Sequence, residues 1–235
     1  MLLEQIKTTD LDPNQKYTFV IPMGATEQHG PFLAIGTDSI LVDRIIKEAE
    51  VSFPQVVFLP TLRITCSEEH KGFIGTVWVS KDTMAGMLMD ICNSLKPYAK
   101  TIALTSFHGG NVKLLDQFVK ENADAFGEIQ IVHLPMGSNE TEEKICEMIK
   151  GPTDEHAGNV ELSMMLDCDE ALVDIPADDY PKRTIENPFS TNNLRDFSEN
   201  GIADNHPKWV VNKKNGAEMI KLTVNDFKNE LKRIL

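Results

Sequence analysis

The apolar positions of this chain follow two alternating rhythms. Residues 17–23 (YTFVIPM) form an apolar run with no polar side, which suits a β-strand covered on both faces. Residues 56–62, 101–107 (TIALTSF) and 129–134 repeat that character and predict three more strands. Between them the spacing becomes helical. In 39–50 (SILVDRIIKEAE), Ile40, Leu41, Ile45 and Ala49 recur on one face, and Asp38 stands where a helix N-cap belongs. Helices are also predicted over 82–95, 112–125, 140–149, 157–166 and 216–235. In 112–125 the apolar face is Val112, Leu115, Phe118, Val119 and Ala123. Residues 175–205, rich in Pro, Asn and Asp, read as loops.

Strands alternating with helices predict an α/β fold with a mostly parallel central sheet and helices on both faces. No repeat, low-complexity tract or linker breaks the pattern, so residues 1–235 are expected to form a single domain. Ligands of such folds bind beyond the carboxyl ends of the strands. Glu27 and His29 fall just after one predicted strand and His108 just after another, which can bring distant residues to one rim.

Composition narrows the partners. With 41% apolar and 25% charged residues the chain can bury a sizeable core under a solvated surface. A net charge of −13 argues against nucleic acid or an anionic membrane as partner, because both require a basic face. The N-terminus lacks the long apolar stretch of a secretory signal, and no apolar run approaches membrane-spanning length. Cys66, Cys92, Cys146 and Cys168 form no C-x-x-C pair and read as reduced thiols of a cytoplasmic protein.

Three segments carry chemistry. In an extended segment Glu27 and His29 point to the same side, and Gly30, Pro31 and Gly36 can fold the loop so that Asp38 approaches them. Read singly, Glu27 and His29 make a surface pair and Asp38 a helix cap. His108-Gly109-Gly110-Asn111 sets an imidazole at a strand end, with glycines to turn and Asn111 to cap the next helix. By itself that is a capped turn with an incidental histidine. In Asp154 to Ser163, a helix beginning near His156 would hold Glu155 and His156 in its first turn, with Glu161 more than a turn along. A Glu–His neighbour pair can act as a tuned acid/base, although a solvated helix start has the same composition. There is no G-x-S-x-G, Walker A or G-x-G-x-x-G pattern, so a serine-hydrolase elbow and the common nucleotide cradles are not supported.

Together these segments resemble the creatininase family of metal-dependent amidohydrolases. The blocks that match, in the family's order, are residues 21–31 (IPMGATEQHGP), Gly36-Thr37-Asp38, Ser67-Glu68-Glu69-His70 with Gly75-Thr76, His108-Gly109-Gly110-Asn111, and His156-Ala157-Gly158 with Glu161-Leu162-Ser163. The resemblance implies a three-layer α/β/α sandwich and a centre of two divalent metal ions. It also implies hydrolysis of a non-peptide C–N bond in a small cyclic amide or formamide. Zinc, manganese and iron(II) all suit such mixed nitrogen and oxygen ligands. By resemblance the ligands are Glu27, His29, Asp38 and His108. Asp38 would bridge, Glu27 and His108 would complete one ion, and His29 would hold the other. The creatinine-hydrolysing branch has a carboxylate two residues after the ligand histidine. Gly110 stands there in this chain, and Glu161, matching the family's H-A-G-x-x-E-T-S block, is the candidate replacement. His156, supported by Glu155, is expected to protonate the leaving nitrogen.

His70, Phe32 and Phe107 are expected around the substrate, the phenylalanines making the pocket more apolar. Creatinine-hydrolysing members carry tryptophans shortly before the H-A-G block; this chain has only Trp78 and Trp209, neither in that region, so creatinine itself is not the expected substrate. The resemblance also implies a homo-oligomer, a hexamer. Other readings remain open: a non-enzymatic metal-binding or assembly protein on the same fold, a mononuclear hydrolase, a formamide deformylase, or a creatinine hydrolase proper. Retention of Glu27, His29, Asp38 and His108 favours the enzyme.

Overall fold

The structure is a computed structural model and describes residues 1–183 and 193–235. In chain order the main elements are β1 (Tyr17–Met23), α1 (Thr37–Glu50), β2 (Val56–Phe58), α2 (Lys81–Leu95), β3 (Ala99–Ser106) and α3 (Gly109–Asn122). They continue with β4 (Gln130–His133), α4 (Asn139–Ile149), β5 (Asp154–His156), α5 (Asn159–Cys168), β6 (Ala203–Asp204) and α6 (Lys213–Arg233). The central sheet has the order β2-β1-β3-β4, with every neighbour parallel.

The lack of a polar side in β1 is explained by its position inside the sheet. All seven residues are buried. Phe19, Ile21 and Met23 face a cluster with Met84, Leu88 and Cys92 of α2 and Leu114, Leu115 and Phe118 of α3. Val20 faces the opposite cluster, with Leu41 and Ile45 of α1, Ile145 of α4, Leu162 of α5 and Phe227 of α6. Period-two alternation therefore serves two cores, and the layers are α2/α3, sheet, and α1/α4/α5/α6. This is the expected three-layer α/β/α arrangement.

Some boundaries differ from expectation. Residues 56–62 do not make one strand: β2 ends at Phe58, ahead of Pro60, which has no amide hydrogen to give a ladder. Leu62 meets Met23 only as an isolated bridge. The helix expected from residue 157 begins at Asn159, because 154–156 form β5 and pair antiparallel with β6. β6 lies inside the stretch expected to be loop; residues 184–192 of that stretch lie outside the described residues. Asp38 is the second residue of α1, whose N-cap is Gly36. Asn111 lies inside the first turn of α3, whose N-cap is His108. Among the described residues no helix is long and apolar enough to cross a membrane.

The register fixes the site. Met23 pairs with Ser106, so β1 and β3 end side by side and their following loops leave from one edge. Asn111 ties this edge together: its side-chain amide donates to Thr65 Oγ1 and Ser106 Oγ, both at 3.1 Å, while its carbonyl oxygen accepts from the Cys66 amide at 3.2 Å.

Candidate metal centre

Glu27 and His29 leave β1 on an irregular loop, Asp38 enters from the first turn of α1, and His108 caps α3. Glu27, His29, Asp38 and His108 are buried almost completely. One Asp38 oxygen lies 3.4 Å from His29 Nε2 and the other 3.4 Å from His108 Nδ1. Glu27 Oε1 lies 3.3 Å from His108 Nδ1 and 3.2 Å from His70 Nε2. Glu161 reaches from α5, with Oε2 at 3.8 Å from His29 Nε2. The resulting groups of potential ligands are His29/Asp38/Glu161, Glu27/Glu69/His108 and Glu27/His29/His156.

Three imidazoles are held in the same way. Each turns its outer nitrogen to a backbone carbonyl: His29 Nδ1 to Glu27 at 3.1 Å, His108 Nε2 to Cys66 at 2.8 Å, and His156 Nε2 to Gln28 at 2.7 Å. An N–H donated there leaves the other nitrogen, with its lone pair, facing the carboxylates. Metal-binding histidines are oriented by this kind of outer hydrogen bond.

The charge distribution fits cations. Both Glu27 oxygens, Asp38 Oδ2, Glu69 Oε1, His29 Nε2 and His70 Nε2 are buried with no hydrogen-bond partner among the described residues. Carboxylates buried this way are costly unless a positive group satisfies them. In the metal-free chain a proton does so in part. Burial disfavours a charged His29, yet Asp38 and then Glu161 overcome it and raise its pKa to about 10. His108 is likewise lifted well above its ordinary value: burial opposes, and Glu27 outweighs it. Burial pushes Glu161 up to about 8, against the pull of His29. Burial also holds His156 well below its ordinary value, reinforced by His29 and His70, so this ring is neutral.

A family model described as creatininase, creatinine amidohydrolase, matches residues 4–231. The chain belongs to the creatininase family. Members of this family are hydrolytic enzymes. Over the whole fold the chain is similar to a mutant creatininase complexed with creatine, with TM-score 0.78 and 19% identity, covering 100% of this chain and 98% of that one. It is also similar to a mutant creatininase of Zn-Zn type, with TM-score 0.74 and 18% identity, covering 99% and 97%. At such identities the likeness speaks to the fold. In sequence it is similar to the mycofactocin precursor peptide peptidase of Mycobacterium tuberculosis (strain CDC 1551 / Oshkosh), 27% identical over 116 residues. That match covers 46% of this chain and 46% of the relative, so the chain spans less than half the length of the curated protein it matches.

The expected site residues do not all converge. Glu155 lies on β5 beside His156, and strand alternation turns it to the exposed side. Burial and Glu142 raise its pKa. The expected Glu155 support is thus replaced by Gln28. The Gln28 side-chain nitrogen lies 3.0 Å from both His70 Nδ1 and His156 Nε2, and it donates to the Gly201 carbonyl at 3.1 Å. His70 is fully buried within this network. Phe107 is half-buried against the α1-side core. The Phe32 ring meets Tyr180 edge-on at 4.6 Å and Trp209 at 6.2 Å. Trp209 therefore joins the aromatic group from a distant segment. Gln28 and Glu69 lie inside motif blocks, and in the sequence their only signal is adjacency to His29 and His70.

The turn that delivers His156 and Glu161 is strained. Ala157 has φ of 55° in the left-handed region, where a Cβ is unfavourable. Its amide donates to Glu161 Oε2 at 2.6 Å, while Asp154 accepts from Gly158 and Val160 at 2.8 and 2.7 Å. The turn thus fixes the Glu161 carboxylate beside His29.

Proposed function

We propose that this protein is a metal-dependent amidohydrolase with a centre for two divalent cations, zinc, manganese or iron(II). Glu27, Asp38 and His108 would hold one, and His29, Asp38 and Glu161 the other. The observation that carries this reading is Asp38, buried between His29 and His108 with one oxygen toward each. Bound there, two divalent cations lower the pKa of water toward neutrality and stabilise negative charge developing on a carbonyl oxygen.

His156 supplies the proton transfer. It is neutral, and with Nε2–H given to the Gln28 carbonyl its Nδ1 faces the cluster, 3.7 Å from Glu27 Oε1. It accepts a proton as the attacking water adds, and then delivers it to the leaving nitrogen. Gln28 and the neighbouring His29 and His70 rings, both at 4.4 Å, hold its orientation. Glu155 has no part in this step.

Membership of the family supports a small amide, cyclic amide or formamide as the substrate. The name of the mycobacterial relative adds a peptide bond as a second substrate class. The test is a panel of formamides, lactams, cyclic ureas and short peptides, assayed with protein stripped by chelator and then reloaded. Turnover on at least one class, lost with the metal and restored by it, is expected. Inactivity of the reloaded protein across the panel would sink the assignment. Assembly as a homo-oligomer belongs to the same proposal, and sedimentation equilibrium reads it directly.

A further inference from the structure

The two proposed cation positions leave out one carboxylate of the cluster, Glu69, which groups with Glu27 and His108 among the potential ligands. Glu69 lies in the short turn Glu68–His70, with Oε1 3.1 Å from His108 Nε2. That oxygen is buried, and it shares the Nε2 edge of His108 with the Cys66 carbonyl, 2.8 Å from the same nitrogen. It reaches this place only because residue 110 is glycine: a Cβ there would collide with Glu69 Oε1 and with the His108 ring. Glu69 thus approaches through space that any side chain at 110 would occupy. Glu69 adds a fourth negative charge to those of Glu27, Asp38 and Glu161 around the two proposed divalent cations.

We propose that Glu69 is a positioning carboxylate of the metal centre. It braces His108 on the side away from the cations and adds negative charge beside them, and Gly110 is the opening that admits it. This inference rests on the two-cation reading above.

Glu69→Gln keeps the size and an acceptor oxygen but removes the charge. Titration calorimetry of Zn²⁺ or Mn²⁺ into the stripped protein is expected to show binding weakened about 10- to 100-fold, the usual effect of removing an outer partner of a metal ligand. The melting temperature of the stripped variant should not fall, because a carboxylate has left a crowd of carboxylates. Gly110→Ala, which displaces Glu69 and His108 together, should lose affinity at least as much. Wild-type affinity in Glu69→Gln, in a protein whose wild type takes two ions, overturns the inference. So does a stripped variant that melts lower in step with its loss of affinity, since Glu69 is then merely structural. A wild type that takes up no ions overturns the functional reading instead.

Discussion

Replacing Asp38 by Asn separates cation binding from folding. Asp38 is 2% exposed and lies 3.4 Å from a nitrogen of each flanking histidine. Asn fills the same volume, so no cavity forms. In the stripped protein the change removes attraction to His29 and His108, and it also removes a buried charge among Glu27 and Glu161. These effects oppose one another, and the melting temperature should move only a little. With cations the result differs. A ligand present at about 1,000 times its Kd stabilises by about 4.1 kcal/mol. For a chain of this size about 1 kcal/mol corresponds to 2–4 °C, so loading each position should raise the wild-type melting temperature by about 8–16 °C. In the proposed centre Asp38 serves both cation positions, and Asp38→Asn should therefore lose most of that rise. Scanning calorimetry with and without Zn²⁺ or Mn²⁺, at equal free concentration, measures it. A variant that keeps the full wild-type rise refutes the bridging role.

Other outcomes follow from the same geometry. His156→Ala should keep its metal content and lose turnover by about 10²- to 10⁴-fold, read by elemental analysis beside steady-state kinetics; collapse of metal content would make it a ligand. Glu155→Gln should leave turnover unchanged and stability within about 0.5 kcal/mol, because the side chain is exposed. Cation binding should release protons, since the stripped protein holds one on His29 with a pKa of about 10. Apparent affinity then rises with pH, and calorimetry in buffers of different ionisation enthalpy counts the protons; net uptake contradicts it. In the stripped protein that His29 proton contributes stability that is complete below pH 6.5 and is lost as pH rises through about 10, which pH-dependent denaturation reads. Phe227→Ala, fully buried in the α1-side core, should cost about 3–5 kcal/mol in urea unfolding without altering metal stoichiometry.

Much of the sheet was legible in the chain because its signals are local. The run YTFVIPM lies between two helix layers, and its lack of a polar side says so directly. The ligand segments were legible because three of them follow strands or start helices, where side chains share an edge. What local pattern could not supply depends on distant contacts. β5 and β6 have three and two residues, too few to register a period, and they exist through pairing across a long loop. The same pairing turned Glu155 outward and moved the start of α5 to Asn159. Asn111 looked like a helix cap, but the adjoining loops claimed its side chain. Glu69 acquires a role only when the 68–70 turn is brought over Gly110. Asp38 looked like a cap from its place in the chain, and its surroundings identify it as the group between two histidines.

The most direct test of the account is the metal content of the purified wild-type chain, prepared without chelator and measured by elemental analysis against protein concentration. Close to two divalent ions per chain, falling sharply in Asp38→Ala, is the predicted result. A wild type that carries no metal, and takes up none when zinc, manganese or iron(II) is supplied, would contradict it.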